Sequence, residues 1–524
     1  GNNEITANGN LQNLLDINKL STAGLELNAS VFAKDLQQIL GKNIIKNNYL
    51  KFGNVKLKTA VNGSLQSLNI ANLNLYSAKN IDLKCQGKVN SMLDTEKLNY
   101  DLNIAKFNTT VSTIGIFVDS LPQQLNSIKL ISYKGVLKGD LHRYFTNGLL
   151  ETNIGNAQTK LGIAFNPNYS NAKYKGFISV ADLDLGILAN SDSLGKINAD
   201  ITLDGKGLSL DSLTSNVEGE IHNITFNGYT YENILVLGEV SNNTFNGKLN
   251  IDDNNLNFNF DGIVDFSTAI PKVDFRAELN KINTQNLNLT TYPIMGNLNI
   301  DANFTGLKPQ DLDGDLKITN INISNKKDKW EMDSLVLKAN KGEQGNTSYF
   351  ISSEIVNGSL IGKYDIENIG KIVIASLDKH YPFSAIFMEK DSSNFALSDE
   401  EIHLEITVKD ATKLLDIFKI PISKLDQTTL SFDLNAQNES MDMILNIPEI
   451  KYQSYTIQNI NLNSQSTQNS FNNLLGIDSV ILGDWGYLPK SNFKADFSNN
   501  TGTSSLNIGA KQNLFLSSNF FTEN

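Results

Sequence analysis

Apolar residues recur at every second position along most of this chain. The sets Val55, Leu57, Thr59, Val61 and Leu98, Tyr100, Leu102, Ile104 each share one parity. So do Leu161, Ile163, Phe165 and Ile197, Ala199, Ile201, Leu203, followed by Leu256, Phe258, Phe260 and Leu298, Ile300, Ala302, Phe304. The pattern continues through Ile402, Leu404, Ile406, Val408, then Leu430, Phe432, Leu434, Ala436 and Phe493, Ala495, Phe497. A period of two places each set on one face of a sheet and leaves Asn, Asp, Lys and Thr on the other. The expected fold is therefore all-β: an elongated, curled antiparallel sheet, about 40 strands at roughly 10 to 14 residues per strand and turn.

Turn signals lie between these runs. Asn62-Gly63, Asn147-Gly148, Asn227-Gly228, Asp261-Gly262, Asp313-Gly314 and Asn357-Gly358 read as two-residue hairpins, because Asn and Gly tolerate positive φ. Helical spacing is confined to Val31–Leu40, Ile114–Leu125 and Ala411–Phe418, with Pro122 and Pro421 where such segments end or bend. The stretch Lys371–Asp399 breaks the rhythm and reads as irregular.

The chain also repeats itself. Asp35-Leu36-Gln37-Gln38-Ile39-Leu40 precedes a long alternating run, and the order returns at Asp182-Leu183-Asp184-Leu185 and Thr412-Lys413-Leu414-Leu415. Looser copies stand at Thr113-Ile116-Phe117 and Asn286-Leu289. No Pro-rich or Ser-rich linker intervenes, so 1–524 reads as one continuous repetitive segment with approximate repeats 31–105, 106–180, 181–280, 281–408 and 409–524. Self-similarity of this kind belongs to chains that grow along one axis. The helices at the repeat starts read as plugs or end-covers on the sheet. The residues around Gly1-Asn2-Asn3-Glu4 resemble the middle of a strand and loop, so the expectation is an excerpt of a longer protein.

Such a sheet needs something to cover its apolar side. The helices are too few, and one β-sandwich ordinarily ends after seven to ten strands. An apolar trough of this length exceeds what a soluble monomer normally exposes, and patches of that size mark binding surfaces. Acyl chains would cover it. The expected lining is Val55, Leu57, Val61, Leu102, Ile104, Ile197, Ala199, Ile201, Leu203, Leu256, Phe258, Phe260, Leu298, Ile300, Ala302, Phe304, Ile402, Leu404, Ile406, Leu430, Phe432 and Leu434.

Composition narrows the alternatives. A net charge of −12 with scattered Lys and Arg argues against a nucleic-acid partner. The single Cys85 cannot form an intramolecular disulfide and reads as an apolar strand residue. His142, His222, His380 and His403 share no motif, and no nucleophile elbow, zinc-protease helix or phosphate loop is present. Asp311-Leu312-Asp313-Gly314-Asp315 and Asp252-Asp253-Asn254-Asn255 lack the loop spacing of a calcium site. The expectation is no enzyme, no metal and no cofactor beyond phospholipid as bound cargo.

The unit Asp-Leu-x-x-(Ile/Leu)-Leu before a Gly-containing β-meander resembles the AsmA-like/TamB superfamily. Its clearest trace runs from Gly195 to Gly207, through Val217–Ile221 and Asn227–Ile234, to Phe258-Asn259-Phe260-Asp261-Gly262. That run is similar to the TamB-like proteins of Bacteroidota. The resemblance implies a β-taco in the periplasm of a Gram-negative bacterium, bridging inner and outer membranes and conducting phospholipids along its groove. It also implies an N-terminal inner-membrane anchor and a C-terminal domain that meets an Omp85-family barrel. Neither end is recognisable in these residues. An alternative role within the same resemblance is outer-membrane protein assembly or secretion with that barrel.

Three further classes compete. An extracellular adhesin or asparagine-laddered β-solenoid fits the roughly 70 asparagines, yet needs coils of regular length, and the repeat starts here fall unevenly. An outer-membrane barrel should show aromatic girdles, and Tyr and Phe are dispersed. A polysaccharide-active β-solenoid enzyme should gather acids and aromatics on one face.

Overall fold

The computed structural model describes residues 3–41, 45, 47–77, 81–116, 127–167, 171–207, 209, 212–378, 399–498, 501–510 and 513–523. The fold is all-β, with 66% strand and 10% helix, which is too little helix to blanket a sheet. Two compact units divide the chain, Gly1–Asn254 and Asn255–Asn524, and the division falls inside the third sequence repeat.

Each unit is an antiparallel meander that does not close into a barrel. In the first, Glu4–Gln12 pairs with Ser21–Phe32, which pairs with Asn54–Ser64, and so on in chain order to Tyr229–Ser241 and Thr244–Asp252. In the second, Leu256–Asp265 pairs with Lys272–Asn283, and the order is likewise sequential as far as Val356–Lys363 with Glu401–Val408. Beyond that point short strands are skipped: Glu401–Val408 pairs with Thr429–Asn435, and Ser470–Ile477 with Ser491–Ser498. The described residues hold 32 strands rather than about 40. The long strands run to 13 residues, as in Tyr229–Ser241.

Turn chemistry is where the two diverge. Asn227-Gly228 forms the expected tight turn, with φ of 50° and 77°. The other five pairs lie inside strands or open one. Gly262 sits mid-strand with φ of +151°, and a Cβ there would lie 2.3 Å from the Asp274 carbonyl oxygen and 2.4 Å from the Phe275 Cα. Only glycine accepts that backbone at such close approach, so Asp261-Gly262 marks a distortion within a strand rather than a reversal. Reversals were meanwhile made by less obvious residues, such as Asn242 (φ 46°) and Asn243 (φ 59°).

Among the described residues, five short α-helices interrupt the strands. We label them α1 (Ala33–Leu40), α2 (Val111–Ile114), α3 (Leu185–Ala189), α4 (Ile369–Asp378) and α5 (Thr412–Ile417). α1 and α5 fall within the expected spans, α1 starting at Ala33 because Val31 and Phe32 end the preceding strand. The expected helix Ile114–Leu125 meets α2 only at Ile114, and 117–126 lie outside the described residues. The Asp182–Leu185 motif splits: Asp182 and Leu183 end a strand, and the Asp184 carboxylate caps α3 by accepting from the Ile187 N–H at 3.0 Å. α4 corrects the irregular reading of Lys371–Asp399. Its run Ile369, Ile372, Val373 has helical spacing, but the contiguous Ile372-Val373-Ile374 masked it with β-branched residues. The rest of that stretch, 379–398, lies outside the described residues.

Candidate functional site

Strand register turns the sequence parities into continuous rows. In the first unit one row passes through Leu25, Val61, Ile70, Gly87, Leu102 and Leu137 to Thr146, Leu161, Gly176, Leu203 and Val217. Beside it run Leu27, Thr59, Leu73, Cys85, Ile104, Gly135, Gly148, Thr159, Ile178, Ile201, Gly219, Val236 and Leu249. A third holds Ala29, Leu57, Leu75, Leu83, Phe107, Tyr133, Leu150, Ala157, Val180, Ala199, Ile221, Ile234 and Ile251. Val55 and Ile197 extend the same face nearer the strand ends, opposite Val31 and Leu183.

The second unit has the same construction. Phe275, Ala302, Leu316, Leu337 and Ile351 lead through Gly358 to Ile406, Leu430, Leu445, Leu462, Leu475, Phe493 and Leu506. Phe304, Leu404 and Phe432 belong to the adjoining row, and Phe260 and Ile300 flank Ala277 in another. Phe258 and Leu298 meet across Leu279, while Leu256 faces Ile282. Ile402 and Leu434 face each other nearer the strand ends. The residues expected to line one surface are thus brought into shared rows within each unit.

Burial separates a floor from a core. No described leucine of residues 1–254 is buried, although leucine is among the side chains most often withdrawn from water. Leu57, Leu102, Ile201 and Leu203 stay partly exposed, and the side chains most fully withdrawn in these rows include the small Ala199. The large side chains that are completely buried are Leu287, Ile372, Ile402, Ile417 and Met441, all in the second unit. Ile372 of α4 lies in a dry cluster with Ile402, Phe432, Leu434, Met441 and Phe471. Three of the expected lining residues, Ile402, Phe432 and Leu434, therefore sit beneath a helix that sequence spacing alone did not reveal.

The opposite face carries exposed charged pairs across adjacent strands, among exposed apolar side chains such as Phe177, Leu235, Leu237 and Ile444. Lys138 meets Asp101 at 2.9 Å, Lys175 meets Asp204 at 2.6 Å and Arg276 meets Asp301 at 3.4 Å, each pair on adjacent strands. Such pairs add little stability individually, but they keep that face wetted. His222 stands between two carboxylates, Nε2 at 3.0 Å from Asp200 and Nδ1 at 3.3 Å from Glu220. The Asp200 hydrogen bond raises the His222 pKa. His403 is placed similarly, its Nδ1 against Asp433 and its Nε2 3.9 Å from Glu405, and its pKa is raised by the Asp433 hydrogen bond. His380 lies outside the described residues.

One polar island stands on the apolar face. The Tyr133 hydroxyl donates to the Val136 carbonyl oxygen at 2.9 Å and shares a hydrogen bond with Thr146 at 2.7 Å. Thr159 donates to the Gly148 carbonyl oxygen at 3.1 Å. The Tyr133 hydroxyl also fills the space where Cβ atoms on the paired Gly135 and Gly148 would stand. These hydroxyls thus find partners inside the sheet, as polar groups on an apolar surface must.

Two of the aspartates weighed for calcium, Asp313 and Asp253, accept hydrogen bonds from the framework. Asp313 accepts from the Lys341 N–H at 3.0 Å, and Asp253 accepts from the Tyr229 hydroxyl at 2.6 Å and the Glu232 N–H at 3.2 Å. No group of three or more metal-competent side chains occurs among the described residues. No helix among them is long and apolar enough to cross a membrane. Compared with protein-family models, curated proteins and solved structures, the chain matches none of them.

Proposed function

We propose that the apolar face is a lipid-conducting surface, and that the chain is part of a bridge-like phospholipid-transfer protein of the periplasm serving outer-membrane biogenesis. The observation that carries this reading is the first unit's set of apolar rows, in which no described leucine is buried. A sheet face that carries apolar rows in its pairing direction, broken at the island of Tyr133, Thr146 and Thr159, and leaves its leucines partly exposed calls for an occupant. An acyl chain fits, because each methylene kept from water is worth roughly 0.8 kcal/mol and needs no specific partner. The head group would remain solvated at the strand ends. No catalytic group is required, since such a surface only lowers the cost of moving a tail through water.

The test is capture of lipid by parity. Photo-crosslinkers at Leu203, Phe258 and Ile300 should take up phospholipid from vesicles, and those at Asp200, Asn259 and Asp301 should not. Equal capture on both faces, or purified protein that extracts no phospholipid from cell membranes, would remove the proposal. In cells, Ile201→Asp and Phe258→Asp should block lipid arrival at the outer membrane, while Asn461→Asp on the polar face should not. Normal lipid supply with folded Ile201→Asp or Phe258→Asp, and no parallel transporter, would favour a scaffold.

A further inference from the structure

The apolar face of the second unit already has one occupant, which is part of the chain itself. α4 lays Ile372 onto Ile402, Phe432, Leu434, Met441 and Phe471, with Ile369 and Val373 packed beside it. The same face continues along these strands into the separate row of Leu430, Leu445 and Leu462, of which Leu445 and Leu462 are partly exposed and outside the α4 cluster. Met441 and Leu445 lie on one strand and one face, four residues apart, yet Met441 is 1% exposed and Leu445 is not buried. Met441 shares its cluster with Ile372 of α4, and Leu445 lies outside that cluster.

We infer that the patch beneath α4 is an acyl-chain site, and that α4 is a built-in plug which must lift for a chain to occupy it. This rests on the lipid-conducting reading above. Three features support a plug rather than a permanent wall. α4 has ten residues, a length at which a helix in water is marginal without its packing contact, so leaving the floor and losing order are coupled. The segment before it has hydrogen bonds of its own, in addition to Tyr364, which packs against the floor cluster. Asp365 accepts from the Glu367 N–H at 3.0 Å and the Asn368 amide at 2.6 Å, and the Gln310 amide donates to Glu367 at 2.7 Å. That anchor gives α4 a fixed pivot at its N-terminal side. Finally, Ile372 sets a branched aliphatic side chain against Ile402, Phe432 and Leu434, so an acyl chain offers those residues what the helix offers them.

The experiment places a diazirine side chain of methionine size at Met441 or at Leu445 in the full chain, incubated with phosphatidylethanolamine vesicles and irradiated. In the wild-type background Leu445 should capture lipid and Met441 should not. Ile372→Asp, which weakens docking, should raise capture at Met441 severalfold while leaving Leu445 unchanged. Ile372→Ala should raise it less, and serves where the charged variant fails to fold. Equal capture at Met441 in wild type and variants overturns the plug, as does silence at Met441 in folded variants whose Leu445 is labelled. Silence at Leu445 and Leu203 alike would instead remove the lipid-conducting reading, and the plug with it.

Discussion

The Tyr292 hydroxyl donates to the Phe418 carbonyl oxygen at 2.5 Å, joining two connections 126 residues apart in the chain. Lys419 adds its ammonium 4.1 Å from the centre of the Tyr292 ring. The first connection leads from Lys272–Asn283 to Met295–Thr305, the second follows Glu401–Val408 and carries α5, and both begin a sequence repeat. The repeat starts of the second unit thus meet in a strap that carries the buried Leu287 and Ile417.

Tyr292→Phe should loosen this strap without unfolding the unit. The lost hydrogen bond is exposed, so the expected cost is about 0.5–1.5 kcal/mol. Hydrogen exchange should quicken in residues 284–294 and 412–420 and stay unchanged in Leu256–Asp265. Uniform quickening across the unit would show that the strap holds the sheet itself.

Gly262→Ala should be severe for so small a change. Its Cβ would stand 2.3 Å from the Asp274 carbonyl oxygen at a φ that side chains rarely adopt, so a loss of roughly 2–4 kcal/mol is expected. Gly24→Ala, with nothing within 4 Å of the new Cβ, should stay within about 0.5 kcal/mol of wild type. Denaturant melts of both variants decide this, and equal midpoints would refute the close approach at Gly262.

Cys85 should react slowly with Ellman's reagent at pH 8 until the first unit opens. Burial pushes its thiol pKa above the ordinary 9.0, and it is 8% exposed between Leu73 and Ile104. Both tryptophans, Trp330 and Trp485, lie in the second unit, so thiol reactivity and tryptophan fluorescence report on different halves. Rapid labelling of native protein would contradict the burial.

The His222 pair should give stability a weak acidic optimum. The folded state raises the His222 pKa through Asp200, so its contribution is complete below the ordinary 6.5 and fades as pH rises through the folded value. Asp200 is held low by hydrogen bonds from Ser179 and His222, so its contribution is present above the ordinary 3.8 and lost as pH falls through the folded value. Both side chains are more than a third exposed, which keeps the effect small. An NMR titration of the His222 ring should show a midpoint above 6.5 that drops in Asp200→Asn; an unmoved midpoint would count against the pair.

Alternation alone was enough to specify the all-β class and the membership of the apolar face. Side-chain direction in a strand is a local property of period two, so Ile197, Ala199, Ile201 and Leu203 shared a face before any partner strand was known. The helices α1 and α5 were legible for the same reason, their spacing being local. What lay beneath α4 was not. Ile402, Phe432 and Leu434 carry the same alternation as Ile201 and Phe258, and only a helix arriving from elsewhere in the chain makes them a dry core. Glycine was ambiguous in a related way: Asn227-Gly228 and Asp261-Gly262 offer the same local freedom, and the approach of a neighbouring strand decides whether it serves a reversal or a mid-strand distortion. Conformational preference is written residue by residue, whereas burial depends on which distant surface arrives to cover a face, and that is settled only when the chain has folded.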